Sequence, residues 1–144
     1  AQEHGGQFPT GGATPEASFS LLYSECVGAS LLLGKGYPEE PARKLLESGQ
    51  PLTPETCGWH YVDGLRQQKD PRVNSRVAIV WDKFGSDHNS GLLPEGGHTV
   101  VFMDGSEKVI GGQDWGRFIA DQEKAWDAIR KGEDPGEPWI PDRF

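Results

Sequence analysis

An Asp-Gly pair between two apolar runs constrains the fold of this chain more than any other feature. One run extends from His98 to Met103, Asp104-Gly105 follows it, and a second run ends at Ile110. Asp-Gly is a strong short-range hairpin signal, because a type I′ turn needs positive φ at both central residues. We therefore predict an antiparallel hairpin over about residues 98–110, with Asp104 and Gly105 as its structural turn.

The composition favours one small, loop-rich domain that contains both helices and strands. The chain has 144 residues, of which 35% are hydrophobic, together with 20 Gly and 11 Pro. A chain of this length suits one hydrophobic core. We predict an α+β fold in which an antiparallel sheet with the 98–110 hairpin packs against amphipathic helices. The domain would span residues 1–131, and residues 132–144 would form a Pro/Gly-rich tail in which Trp139 and Phe144 are candidate anchors, with disorder as the alternative.

The net charge of −8 argues against nucleic acid and anionic membranes as partners. Binding to phosphate groups requires clustered Lys and Arg side chains, and the balance here is acidic. No apolar run of the printed sequence reaches the roughly 18 residues that span a bilayer.

Helix signals occur near both ends of the chain. Thr14 and Pro15 predict a helix start, and Phe19, Leu22, Cys26 and Leu33 then share one face. A second, short helix is predicted from Glu39 to Ser48. Near the other end, Asp114 is predicted to cap an amphipathic helix that runs to about Lys131.

Two further strands are predicted ahead of the hairpin. The residues from Trp59 to Gly64 resemble a strand and a turn, and those from Arg76 to Asp82 form a β-branched, apolar run. Between them, Arg66 to Asn74 is polar and contains the loop marker Asp70-Pro71.

The two cysteines, Cys26 and Cys57, are candidates for one disulfide if the protein is exported. Closing a loop of this size would stabilise the fold by roughly 3–4 kcal/mol in the chain-entropy model. The alternative is a pair of buried thiols. A zinc site is disfavoured, because neither a Cys-x-x-Cys nor a suitable His-x₃-His pattern accompanies them.

The loop between the second strand and the hairpin is the candidate metal site. Oxygen-rich loops suit calcium, and the candidate ligands are Asp82, Asp87, His88 and Asp104, with Asn89, Glu95 and His98 nearby in sequence. EF-hand spacing is absent. The competing interpretation is a hydrogen-bonded turn network in which His88 fixes the loop and His98 satisfies a backbone carbonyl.

The sequence predicts no enzyme. Ser86 and Ser90 flank Asp87-His88, but a catalytic triad needs side chains that converge from separate elements. No Gly-x-Ser-x-Gly motif is present. A small hydrolase with paired carboxylates is the weakest alternative, since such pairing leaves no sequence spacing.

The aromatic residues near the strand ends have two interpretations. Core packing is the simpler one, and a surface that binds sugar or a partner is the other. The residues concerned are Trp59, His60, Tyr61, Trp81 and Phe84.

Taken together, four segments of the sequence resemble the soluble part of bacterial type IV pilin-like (prepilin-type) proteins. The first resembles the Gly-rich break and Phe/Tyr-Pro that end the long pilin helix, and the others resemble its later strands and its Asp-Gly hairpin. The segments are Glu3 to Pro9, Tyr61 to Leu65, Val80 to Gly85 followed by Asp87-His88, and Gly97 to Gly105.

The sequence departs from this pattern in three places. The insertion from Asn89 to Glu95 lengthens the interval between His88 and Asp104. Ser106 stands where the family commonly has His. The segment from residue 31 to residue 56 has no counterpart in the pattern.

The resemblance implies a non-enzymatic subunit of a type IV pilus-like filament or a type II secretion pseudopilus. The chain would be its exported head, located in the periplasm, at the cell surface or in an extracellular filament. A hydrophobic helix ahead of Ala1 would contact the membrane and other pilin-like subunits. The alternative is a secreted binding module with a calcium or sugar site in the 82–95 loop.

Overall fold

The computed structural model describes residues 6–8, 10, 12, 14–19, 39–53, 57, 59–83 and 97–141. The elements of this part, in chain order, are α1 (Pro15–Phe19), α2 (Glu39–Glu47), β1 (Trp59–Tyr61), α3 (Pro71–Asn74), β2 (Ala78–Asp82), β3 (His98–Phe102), β4 (Glu107–Ile110) and α4 (Gly112–Arg130).

The strands form one antiparallel sheet in the order β1-β2-β3-β4. Trp81 pairs with His60 on one side and with Val100 on the other, while Thr99 pairs with Val109. Each strand therefore lies beside its neighbour in sequence. The predicted α+β architecture with an antiparallel sheet and a C-terminal helix is confirmed.

The hairpin between β3 and β4 is present, but its turn differs from the type I′ turn that Asp-Gly predicted. The amide of Phe102 donates to Ser106 O at 2.8 Å, and the amide of Gly105 donates to Phe102 O at 2.9 Å. Gly105 has φ of 88°. This pattern is a three-residue loop with a left-handed glycine at its last position, in which Met103 precedes the Asp-Gly pair.

The helix start predicted at Thr14 is confirmed, because Thr14 Oγ1 accepts a hydrogen bond from Ala17 N at 3.1 Å. The residues predicted to continue this face beyond Phe19 lie outside the described part of the chain. The second predicted helix corresponds to α2, and the chain leaves it through Gly49, whose φ is 80°.

The segment predicted as a loop around Asp70-Pro71 contains a short helix, α3. Asp70 is its N-cap, and its Oδ1 accepts from Arg72 N at 2.9 Å. Pro71 occupies the first turn, where a missing amide hydrogen costs nothing. The prediction of a loop alone was wrong. An Asp-Pro pair is compatible both with a loop and with a capped helix start, and here it starts a helix.

The C-terminal helix α4 begins earlier than predicted, at Gly112, with Gly111 as its N-cap. Asp114 lies in the first turn, where its charge favours the positive end of the helix dipole, and its amide donates to Gly111 O at 3.0 Å. The N-cap prediction for Asp114 was therefore wrong. No helix within the described ranges is long and apolar enough to cross a membrane.

Helix α4 is joined to β2 by hydrogen bonds to the strand backbone as well as by apolar packing. The register of the β2–β3 pair is irregular between Ala78 and Val80. Gln122 Oε1 accepts from Ala78 N at 2.8 Å, and Trp126 Nε1 donates to Ala78 O at 2.9 Å. The helix thus supplies partners for backbone groups at the irregular start of β2.

The Pro/Gly-rich tail packs on the domain as far as residue 141. Trp139 N donates to Asp121 Oδ2 at 3.0 Å, and Arg76 Nη1 donates to Pro138 O at 3.2 Å. The predicted anchor Trp139 therefore contacts the domain, whereas Phe144 lies outside the described residues.

Candidate functional site

Six titratable side chains of the described residues lie near one another where β2 ends and β3 begins. We call this group the sheet-end cluster, and it consists of Glu16, Cys57, His60, Asp82, Lys83 and His98. Because β2 and β3 are antiparallel neighbours, the two ends of their connection meet here. Helix α1 supplies Glu16, strand β1 supplies His60, and Cys57 lies two residues ahead of β1.

His98 is held by Asp82 across the β2–β3 junction. Its Nδ1 lies 2.7 Å from Asp82 O and 3.1 Å from Asp82 Oδ1. Both partners only accept hydrogen bonds, so Nδ1 carries the hydrogen and donates it. The ring also lies 4.2 Å from the ring of Trp115, measured between centroids. His98 thus donates to a backbone carbonyl, which was one of the roles considered for it.

Lys83 and Glu16 form an ion pair that attaches α1 to the end of β2. The Nζ–Oε2 distance is 2.9 Å, and the two side chains are 12% and 11% exposed. At this burial both charges are largely removed from water, and their pairing offsets part of the cost of that desolvation. This pair could not be predicted from local sequence patterns, because its members are 67 positions apart.

We expect a double-mutant cycle to show strong coupling within this pair. Lys83→Met should lower the free energy of unfolding by about 2–3 kcal/mol, since it leaves a buried carboxylate without its cation. Glu16→Leu together with Lys83→Met should recover most of that loss. Urea unfolding of the four proteins measures the coupling, and additive effects would show that the two charges act independently.

His60 is an exposed member of the cluster, and its ring lies 5.4 Å from that of Trp81. Desolvation by this packing lowers the pKa of His60 below its usual value, and the positive charge of Lys83 and the nearby His98 lower it further. The folded protein therefore prefers a neutral His60.

This pKa shift predicts an acid-sensitive contribution to stability. Because the folded pKa of His60 lies below the unfolded value, its contribution is complete above about pH 6.5 and is lost as the pH falls through the folded pKa. We expect His60→Gln to reduce the slope of unfolding free energy against pH between pH 7 and 5. Identical slopes for wild type and variant would contradict this assignment.

Cys57 is fully buried, and its thiol donates to Trp59 O at 3.7 Å. Burial raises the pKa of the Cys57 thiol. A thiol in this state is a poor nucleophile at neutral pH, because the thiolate is the reactive form. Cys26 lies outside the described residues, so the Cys26–Cys57 disulfide stays a prediction.

The predicted metal ligands are not brought together where the structure describes them. Asp82 ends β2 beside His98, whereas Asp104 lies in the turn beyond the other end of β3, a strand that is roughly 13 Å long at the usual rise. Asp104 Oδ1 accepts instead from Ser106 N at 2.9 Å. Asp87 and His88 lie outside the described residues. Within the described ranges, no group of three His, Cys, Asp or Glu side chains is arranged to hold a metal ion.

Of the aromatic residues near the strand ends, Trp81 packs on two tryptophans of α4, and Phe84 lies outside the described residues. Trp81 is stacked on Trp126, with ring centroids 5.6 Å apart and an angle of 5° between the planes. Trp115 meets Trp81 edge-on at 5.8 Å. This packing between sheet and helix favours the core interpretation for Trp81 over a sugar-binding surface.

A second polar contact that the sequence analysis missed joins three parts of the chain. Ser18 is fully buried and its hydroxyl donates to Asp63 Oδ2, while Gly12 N donates to Ser18 Oγ at 2.9 Å. Arg130 Nε and Nη2 donate to Asp63 O at 3.1 and 2.8 Å. Asp63 thereby connects the N-terminal segment, the end of β1 and the end of α4.

A cleft of about 730 Å³ lies apart from the sheet-end cluster, between the N-terminal segment and the end of α4. Its apolar lining includes Phe8, Leu65, Val73 and Ile129. None of the cluster residues lines it, so the titratable groups and this cleft do not coincide. An enzyme active site usually combines the two.

Comparison of the chain with protein-family models, with curated proteins and with solved structures found no match.

Proposed function

We propose that this domain is the head of a pilin-like subunit, in a type IV pilus-like filament or a type II secretion pseudopilus, with a structural and non-enzymatic role. The observation that carries the proposal is the position of the pilin-like segments. Three of them overlap consecutive strands of one sheet: one begins at the last residue of β1, one includes residues 80–82 of β2, and one covers β3 and the turn that follows it.

The contacts of the polar residues support a structural role. His98 and Asp82 join β3 to β2, and Lys83 and Glu16 join β2 to α1. These side chains thus hold elements together at the point where the 83–97 connection leaves and re-enters the sheet. Such contacts suit a rigid head that is displayed on an assembly.

The N-terminal segment also fits the proposal. Gln67 N donates to Gly6 O at 2.8 Å, and Gln7 forms an antiparallel bridge with Arg66. This anchoring fixes the point at which the chain enters the head. A helix ahead of this segment would then have a defined attachment to the domain.

The coding sequence upstream of Ala1 tests the proposal directly. We expect about 20 apolar residues that can span a bilayer, preceded by a short basic leader. A cleavable secretion signal that leaves no apolar helix on the mature protein, or an upstream enzymatic domain, would contradict the proposal.

A further inference from the structure

The C-terminal tail ends in an anchor segment, Pro138-Trp139-Ile140-Pro141, that is seated on the domain. Pro138 and Pro141 are buried, whereas Trp139 and Ile140 are half-buried and pack against the core. A ten-residue tail without helix or strand does not bury prolines unless a surface accepts them. This burial indicates a fitted site for an extended peptide.

Three polar contacts define this site, which we call the tail groove. Arg76 Nη1 donates to Pro138 O at 3.2 Å, and Asp121 Oδ2 accepts from Trp139 N at 3.0 Å. The guanidinium carbon of Arg117 lies 4.1 Å from the centre of the Trp139 ring, which is a cation–π contact. The groove thus recognises backbone groups and one aromatic ring.

The linker between α4 and the anchor segment has a different character. Residues 132–137 are exposed except for the half-buried Pro135, and Gly132 and Gly136 have φ of 75° and 68°. The anchor segment is therefore attached through an exposed stretch that contains two glycines in left-handed conformations.

We propose that the tail groove also accepts the anchor segment of a second copy of this chain, so that tails are exchanged between neighbouring copies. Exchange replaces each contact in the groove by the same contact from another chain, so it requires no new chemistry. Within one chain, a short linker gives the anchor an effective concentration in the millimolar range. Exchange is therefore favoured where copies are held close together.

The charge of the chain sets a condition on this exchange. Each copy carries a net charge of −8, which includes the linker residues Glu133, Asp134 and Glu137. Repulsion between copies is screened over about 10 Å at 0.1 M salt. Tail exchange should therefore increase with ionic strength, unlike an association driven by opposite charges.

The first test uses the full-length chain with its own tail displaced from the tail groove. The probe is a fluorescent peptide with the sequence of residues 131–144, and the protein carries Trp139→Ala, which removes the anchor of its own tail. We expect this variant to bind the peptide at least tenfold more tightly than the wild type, whose groove is occupied. Adding Arg117→Ala should abolish the gain, whereas adding Arg72→Ala, an exposed arginine outside the groove, should leave it unchanged.

The second test does not depend on the Trp139 variant remaining folded. Asp121 and Arg130 are separated by about 14 Å along α4 at the usual helical rise. Deleting Glu133–Glu137 leaves only about 14 Å of fully extended chain between Arg130 and Trp139. The chain must also turn back along α4 to bring Trp139 to Asp121, and no length remains for that turn. The deletion variant should therefore form dimers or larger assemblies. Light scattering at equal protein concentration should show a larger assembled fraction for this variant than for the wild type.

Two results would overturn the proposal. One is a peptide that binds the wild type and the Trp139→Ala variant equally, because occupancy of the groove would then not control binding. The other is a folded deletion variant that associates no more than the wild type, since its tail could then dock neither within its own chain nor on another.

Discussion

Replacing Gln122 by leucine should lower the free energy of unfolding by about 3 kcal/mol. The side chain is fully buried, and it accepts from Ala78 N at 2.8 Å and donates to Arg76 O at 2.7 Å. Leucine has a similar size but offers neither partner. Two backbone groups at the irregular start of β2 would then be buried without their hydrogen bonds, at about 1–3 kcal/mol each, and the gain in apolar burial offsets part of that cost.

The matched control for this change is Gln113→Leu. Gln113 lies on the same helix but is exposed, so the same substitution should change stability by less than about 0.5 kcal/mol. Urea unfolding followed by tryptophan fluorescence measures both variants. Equal effects at the two positions would show that the contacts of Gln122 with β2 do not stabilise the fold.

Gly97→Ala should destabilise the domain by about 2–3 kcal/mol, because the added methyl group meets backbone atoms. A Cβ at this position would lie 2.8 Å from Ile110 O and 3.2 Å from both Gly111 Cα and Gly112 N. Backbone atoms at the junction of β3, β4 and α4 cannot rotate away as a flexible side chain does. The junction would have to move, and the seating of His98 on Asp82 would move with it.

A second glycine provides a control with the opposite sign. Gly116 lies within α4, and a Cβ there would meet nothing within 4 Å. Gly116→Ala should therefore stabilise the domain by about 0.5–1 kcal/mol, since alanine loses less conformational freedom than glycine in a helix. Thermal unfolding of the two variants gives the comparison, and a melting temperature for Gly97→Ala equal to that of the wild type would refute the close contact.

The sequence predicted those parts of the fold that depend on local signals. The strand pattern from Arg76 to Asp82 and the Asp104-Gly105 turn both depend on residues within a few positions of one another. The exact turn geometry was missed because Asp-Gly serves two-residue and three-residue loops alike. The start of α4 was missed because Gly111, which has no capping side chain, occupies the N-cap position.

The contacts that build the sheet-end cluster depend on tertiary structure and left no local signal. Lys83 lies next to Asp82 in sequence but pairs with Glu16, and this contact exists only once α1 packs on the sheet.

Gln122 falls on the buried side of an amphipathic helix, where a polar residue looks like an exception to the pattern. The side-chain amide of Gln122 bonds backbone groups near the start of β2, where the strand register is irregular, and this need is visible only in the structure.

Assembly through an upstream apolar helix, which we propose for this domain, predicts where the protein is found in the cell. It can be measured by fractionating the cells that produce the protein, with an antibody against the domain and with sheared surface filaments or membrane-anchored pseudopili as the assembled fraction. We expect the protein in the membrane and in the assembled fraction, and we expect its loss from both when the upstream apolar segment is deleted. Recovery of the wild-type protein only as a free, unassembled species would contradict the claim.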